Sequence, residues 1–256
     1  MPRESSKRTL TLTREGEVGI VTLQRAFCLD AEGKAALTGA VAELSACHWP
    51  RALIVNASEP RAFLVDVAEL ADMHAPEARK FSAAGHALAQ TIECAPFPVV
   101  AAVEGPALGG GCELVLACDL AIGGEDATFG QIEALGGVMP GFGGTWRLAR
   151  RVGYQRALEM LFTGAIVNAA AALACGLILE VAAKGEALDR AKLLADRVCK
   201  TSKASVSAIK AATRLNWNLS PTAADALEEA LFPSLFGVEQ SMRMHAYLKQ
   251  QEGGDR

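Results

Sequence analysis

Apolar and polar residues alternate one by one through LTLTREGEVGIVTL, residues 10–23, on either side of Glu15-Gly16, which predicts two strands joined by a turn. Leu37, Val41 and Leu44 then fall at helical spacing, and RALIVNA, residues 51–57, is a short apolar run of the buried-strand type. A second helical pattern over residues 76–92 places Phe81, Leu88 and Ile92 on its inward side, and FPVVAAVEG supplies the next strand. The order repeats with a helix after Gly109-Gly110-Gly111, then strands in CDLAIG and ATFG. Strands alternating with helices predict an α/β fold with largely parallel pairing.

Beyond about Lys184 the strand patterns stop, and four helical segments follow near residues 188–200, 206–215, 222–231 and 234–250. This divides the chain into a core over 1–184 that carries any site and a helical region over 185–256. Trp217, Phe232, Phe236, Met242 and Tyr247 make that small helical layer too apolar to stand in water. They imply packing against the core or against another subunit.

Composition narrows the classes. At 256 residues and 51% hydrophobic, the chain can bury a sizeable core. A net charge of −4 with scattered Lys and Arg gives no basic stripe for nucleic acid and favours a small-molecule or protein partner. Seven cysteines without a CxxC pair fit reduced thiols in the cytoplasm. Four histidines, none in HExxH, argue against a metal site. The polar start MPRESSKRTL is not expected to be a secretory leader. Residues 160–179 carry no charge, yet Thr163, Gly164, Asn168 and Gly176 break that stretch. Asn168 is expected to cap a short alanine-rich helix, and Gly176 to end it before a strand LILEV.

The densest signal is GPALGGGCELVLACDLAI, residues 105–122. Glycines between a strand and a helix let a ligand approach the backbone at a helix N-terminus, where free N–H groups favour negative charge. Neither GxGxxG nor GxxxxGK[ST] is present, so a developing oxyanion stands beside phosphate as the candidate. A tight turn with close helix packing is the structural alternative. Glu113 follows two residues later, ahead of the apolar LVLAC, and Glu133 lies in the apolar, glycine-rich TFGQIEALGG. An acid at the first turn can simply favour the helix dipole. Two carboxylates beside an oxyanion-binding backbone also form a general acid/base pair.

With PVVAAVEGPALGGGCELVLACDLAI, ATFGQIEALGGVMPGFGGTWRLARRVG and ALEMLFTGAIVNAAAALACGLILEV, the chain resembles the enoyl-CoA hydratase/isomerase (crotonase) superfamily, and within it the two-glutamate 2-enoyl-CoA hydratases. The resemblance covers nearly the full length and is weaker before Pro98. It implies a spiral of ββα units with a C-terminal helical region that builds trimers or hexamers. It also implies reversible hydration of a 2-enoyl thioester through an enolate, with Glu113 and Glu133 as acid and base, and Gly110 and Val67 as backbone oxyanion donors. Such donors are worth about 3–4 kcal/mol each. Contacts to the thioester and its coenzyme A fall by resemblance on Arg25, Ala26, Asp66, Ala68 and Leu70. No cofactor beyond coenzyme A, no metal and no membrane span are implied.

The first half departs from the family pattern. Where members carry AFxxGxD, this chain reads AFLVDVAEL, putting Asp66 beside the expected donor Val67. Asp66 can tolerate a positive φ better than most residues. Its charge must point outward or be neutralised by a cation such as Arg61, because a carboxylate in the hole would oppose an enolate. LQRAFCLDAEGKAAL likewise replaces the usual proline- and asparagine-containing stretch. Two rival readings stay open: an isomerase or dehydratase on a carrier-protein thioester, and an acyl-CoA-binding homologue with impaired catalysis. His74 and His86 read as surface or structural residues and Cys112 as buried packing. Trp146 reads as packing the helix after the glycines, and Asp119 as a structural hydrogen-bond acceptor.

Overall fold

The computed structural model describes residues 9–24, 29–58 and 61–254. Strands β1 (Leu10–Glu15) and β2 (Val18–Leu23) form the expected antiparallel pair, with Gly16 at φ 59° in the turn. Helix α1 (Ala31–Ala46), capped by the Asp30 side chain on Gly33 N, leads to β3 (Ala52–Ala57). A short α2 (Val67–Ala71) precedes α3 (Ala75–Cys94), β4 (Val99–Val103), β5 (Pro106–Leu108) and the glycine-opened α4 (Gly110–Ala117). Next come β6 (Leu120–Gly124), β7 (Thr128–Gly130) and a 3-10 turn at Glu133–Gly136. Helices α5 (Gly144–Val152) and α6 (Tyr154–Thr163), strand β8 (Ile166–Asn168), α7 (Ala169–Ala174) and β9 (Glu180–Ala182) complete the core. The chain ends in α8 (Ala187–Cys199), α9 (Lys203–Asn216), α10 (Pro221–Leu231) and α11 (Val238–Gly254).

Six strands pair in the order β1-β2-β3-β4-β6-β9, all parallel after the first hairpin, and β5-β7-β8 form a second sheet. Successive strands therefore step from the first sheet to the second, β4 to β5 and then β6 to β7. Phe63 joins that second layer through a bridge to Ala107. This is the spiral of ββα turns that the motifs imply.

Both faces of the large sheet are covered, as parallel strands require. Val21, Leu53, Val55, Val99 and Ala101 face α1, α3 and α4, whereas the alternate residues Ile20, Ile54, Val100 and Ala102 face the other way. On that back face α8 lays Ala187, Ala191 and Ala195, all with 0% exposure, flat against the strands. Four-residue spacing of alanines lets the helix approach closely.

Two local expectations are met and one is corrected. Asn168 caps α7 by accepting from Ala171 N at 2.9 Å, and Gly176 follows that helix in the left-handed region at φ 77°. The strand expected across LILEV begins only at Glu180. Leu177 and Ile178 instead bond back to the Ala172 carbonyl as the helix exit and fill the core. Among the described residues no helix is long and apolar enough to cross a membrane.

Candidate active site

Helix α4 is buried along its whole length, Glu113 included, at 1% exposure. Gly109 enters it at φ 55°, a backbone region that disfavours a side chain. A Cβ on Gly111 would overlap the Phe63 carbonyl oxygen, and one on Gly110 would stand 2.7 Å from Val65 Cγ2. The glycines thus let the 63–65 segment lie directly on the first turn of α4.

Two helix starts border this approach, one at Gly110 and one two residues beyond Val65. Gly110 is the first residue of α4 and Val67 the first of α2, and among the described residues neither N–H is taken by an intramolecular hydrogen bond. Free N–H groups at a helix start are what an anion can use. Asp66 is the N-cap of α2: its Oδ1 accepts from Ala68 N at 2.9 Å, leaving the intervening Val67 N–H untouched. Its φ of −72° is ordinary extended backbone, so the tolerance of Asp for a positive φ is not called on there. The positive φ of this loop falls at Arg61, 59°, whose guanidinium lies near Gly185 and Lys184.

Glu113 is held by one oxygen. Phe142 N at 2.7 Å and Gly144 N at 2.6 Å both donate to Oε1, so Oε2 remains for another partner. Burial pushes its carboxyl up, and the two N–H groups and the nearby Arg147 guanidinium pull it back. Arg147 is itself buried, forked onto Glu93 at 2.7 and 2.9 Å, and donates to the Phe142 carbonyl. The loop that grips Glu113 is thereby pinned to α3.

Glu133 begins the 3-10 turn after β7. Its Oε1 lies 3.2 Å from where a Gly109 Cβ would sit, against the residue just before the free Gly110 N–H. Burial, with a smaller push from the Glu113 charge, raises its carboxyl to about 7. Gln131 stands between the acids: a Cβ on Gly144 would meet its Oε1 at 2.8 Å, and in the orientation that satisfies its neighbours its amide donates to both Glu133 oxygens at 3.2 Å.

The structure therefore brings Glu113, Glu133 and Gly110 together and lays Phe63 and Val65, just before Val67, on the first turn of α4. Ala68 is exposed and Leu70 half-buried on α2, while Arg25 and Ala26 lie outside the described residues. His74 and His86 are exposed. The Cys112 thiol is fully buried and pushed up to about 12, which makes it inert. Asp119 accepts from Val99 N and from Lys210, a structural role. Trp146 is partly exposed and stacks with Arg147 and Arg150. Sequence reasoning missed Gln131, Phe142 and Arg147. Their signal, polar or aromatic residues within the glycine stretches 130–147, has meaning only once the loop is closed over α4.

Comparison with known proteins gives the family and the fold. The chain matches the family model for enoyl-CoA hydratase/isomerase over residues 13–253 and belongs to that family. It is 33% identical over 247 residues to a short-chain-enoyl-CoA hydratase of Clostridium acetobutylicum, covering 94% of this chain and 95% of the relative. A crotonyl-CoA hydratase of Syntrophomonas wolfei is 33% identical over 249 residues, covering 95% of this chain and 96% of the relative. The crystal structure of an enoyl-CoA hydratase from Bacillus anthracis superposes with a TM-score of 0.90 at 25% identity, over 95% of this chain and 97% of that one, which shows the crotonase fold.

Proposed function

We propose that this chain hydrates 2-enoyl-CoA thioesters to 3-hydroxyacyl-CoA, and reverses the reaction. The observation that carries this reading is the unlike setting of two carboxyls beside one free helix N-terminus. Burial raises the Glu113 carboxyl, and the two backbone N–H bonds it accepts, with the nearby Arg147, act against that rise in favour of the anion. Glu133 is raised to about 7 and so holds a proton in much of the population at neutral pH.

In the hydration direction Glu113 Oε2 takes a proton from water as the water oxygen bonds to C3. The thioester oxygen gains charge against Gly110 and Val67 N–H, and the Glu133 proton passes to C2. The proton now on Glu113 returns to Glu133 by exchange before the next turn. Preorganised backbone donors supply the electrostatic stabilisation and the carboxyls the proton transfers, the latter worth about 10²–10⁴-fold.

Coenzyme A enters by this reading along α2, past Asp66, Ala68 and Leu70, and the family resemblance assigns Arg25 and Ala26 to the same molecule. No other cofactor is called for. The matched relatives bear hydratase names, and the retained second acid favours hydration over isomerisation. The same reading takes residues 185–256 as the oligomerising region of a trimer or hexamer, and the free thiols of the six described cysteines as suited to the cytoplasm.

The test is the loss of enoyl thioester absorbance with crotonyl-CoA. Wild type should turn over, and Glu113→Gln and Glu133→Gln should each lose at least about 10²-fold in kcat while staying folded. Unchanged hydration in Glu133→Gln would refute the assignment of roles.

A further inference from the structure

The space beside Glu113 is shaped by one side chain. Phe142 is 4% exposed, and its ring lies between glycines of two helices. A Cβ on Gly85 of α3 would overlap the ring, and one on Gly110 of α4 would stand 2.6 Å from Phe142 Cε2. The ring cannot retreat the other way. Phe81 stacks at a centroid distance of 5.1 Å, and the buried Lys34 ammonium lies 4.9 Å from the Phe142 ring and 3.1 Å from that of Phe81.

Together Gly85, Leu88, Gly110, Glu113, Leu114 and Phe142 surround an apolar cavity between α3 and α4 with room for about one water molecule. Glu113 is its only acid. Once the thioester oxygen is at Gly110 N–H and C3 is at Glu113, the cavity is the apolar volume next in line for the acyl tail. Phe142 lines that volume.

We propose that Phe142, seated in the notch between Gly85 and Gly110, is the wall that limits the acyl group to about four carbons and makes this a site for short 2-enoyl thioesters. The inference rests on the hydratase reading and deepens it. Longer chains would have to displace a ring fixed on four sides in a close-packed interior, and such interiors yield only at the cost of strain. One or two methylenes are enough to separate substrates by about 10–200-fold in a closed apolar pocket.

The experiment is the ratio of kcat/KM for 2-octenoyl-CoA to that for crotonyl-CoA, which does not depend on the folded fraction. It is measured in wild type, in Phe142→Ala, and in a double variant, Gly85→Leu with Phe142→Ala, that refills the notch from the opposite helix. Wild type should favour crotonyl-CoA by more than about tenfold, Phe142→Ala should raise the ratio by at least about tenfold, and the double variant should bring it back toward wild type. Phe142→Leu, a smaller truncation, serves if the alanine variant does not fold and should shift the ratio in the same direction. A ratio indifferent to residue 142, with hydration intact, overturns the inference. Calorimetric binding of the unreactive butyryl-CoA and octanoyl-CoA separates the two readings. Octanoyl-CoA gaining affinity over butyryl-CoA in Phe142→Ala supports the wall even if no substrate is hydrated, and no relative gain refutes it.

Discussion

At the residue scale the two acids differ because their hydrogen bonds differ. With Glu133 near 7 and needed protonated for hydration, kcat/KM with crotonyl-CoA should fall as pH rises through about 7. In the dehydration direction the two acids exchange roles while the pair still carries one proton, and the overall reaction takes up no proton, so kcat/KM should fall over the same pH range. A pH profile in each direction checks the sign.

The same group carries a stability consequence. Its folded pKa of about 7 exceeds its ordinary value of 4.5, so the folded state binds the proton more tightly and loses stability as pH rises between those values. Glu133→Gln should therefore be more stable than wild type by about 2–3 kcal/mol at pH 8, with the gain vanishing below about pH 4.5. Urea denaturation at the two pH values reads this directly. Gly111 is the other position that fixes the site. Gly111→Ala would drive a methyl into the Phe63 carbonyl, and it should cost at least about 2 kcal/mol in the same assay.

At the element scale, caps and clasps decide where helices sit. Asp30, Asn168, Ser202 and Ser220 cap their own helices from adjacent sequence, and such caps are legible without a structure. The cap of α8 is not legible. It is Glu104, at the end of β4, whose carboxylate accepts from Gly185 N at 2.9 Å and Ala187 N at 2.6 Å across more than 80 residues.

A similar long-range clasp docks α9. Lys210 donates to the Ile92 and Phe97 carbonyls and to Asp119 Oδ2, at 2.9, 3.0 and 2.7 Å. Asp119 is raised by burial and drawn back by that ammonium. Lys210→Met should leave a largely buried carboxylate unpaired and cost about 3–5 kcal/mol in denaturant unfolding, whereas Lys210→Met with Asp119→Asn should recover much of it. At this scale the longer strands and helices were readable while the short α2, β5 and β8, and α6, were not, and the miss at Leu177 and Ile178 has a simple cause. A short apolar run is compatible with either a strand or a buried helix exit.

At the scale of the whole molecule, α8 seals the back of the sheet while α9, α10 and α11 leave apolar side chains in water. Trp217, Phe232, Phe236, Met242 and Tyr247 are all more than half exposed, and Phe232 and Phe236 already pair edge to face. A surface of this kind fits burial against a second copy. Phe236→Asp should therefore shift sedimentation from an oligomer toward a monomer at micromolar concentration, and an unshifted oligomer would place the interface elsewhere.

The sequence by itself determined the alternation of strands and helices, the helical C-terminal region, the glycine-opened α4 and the setting of Glu113 and Glu133 within glycine-rich, apolar stretches. Each of these is written in periodicity or in a motif within one stretch of chain. Only the tertiary structure decided that Glu113 takes its N–H bonds from residues 29 and 31 positions further on, and that Asp66 caps α2 in an ordinary extended conformation. It alone seated Phe142 in a notch made by two helices. Those outcomes depend on how distant segments close on one another, and local hydrophobic pattern constrains which face is buried but not which neighbour will fill it.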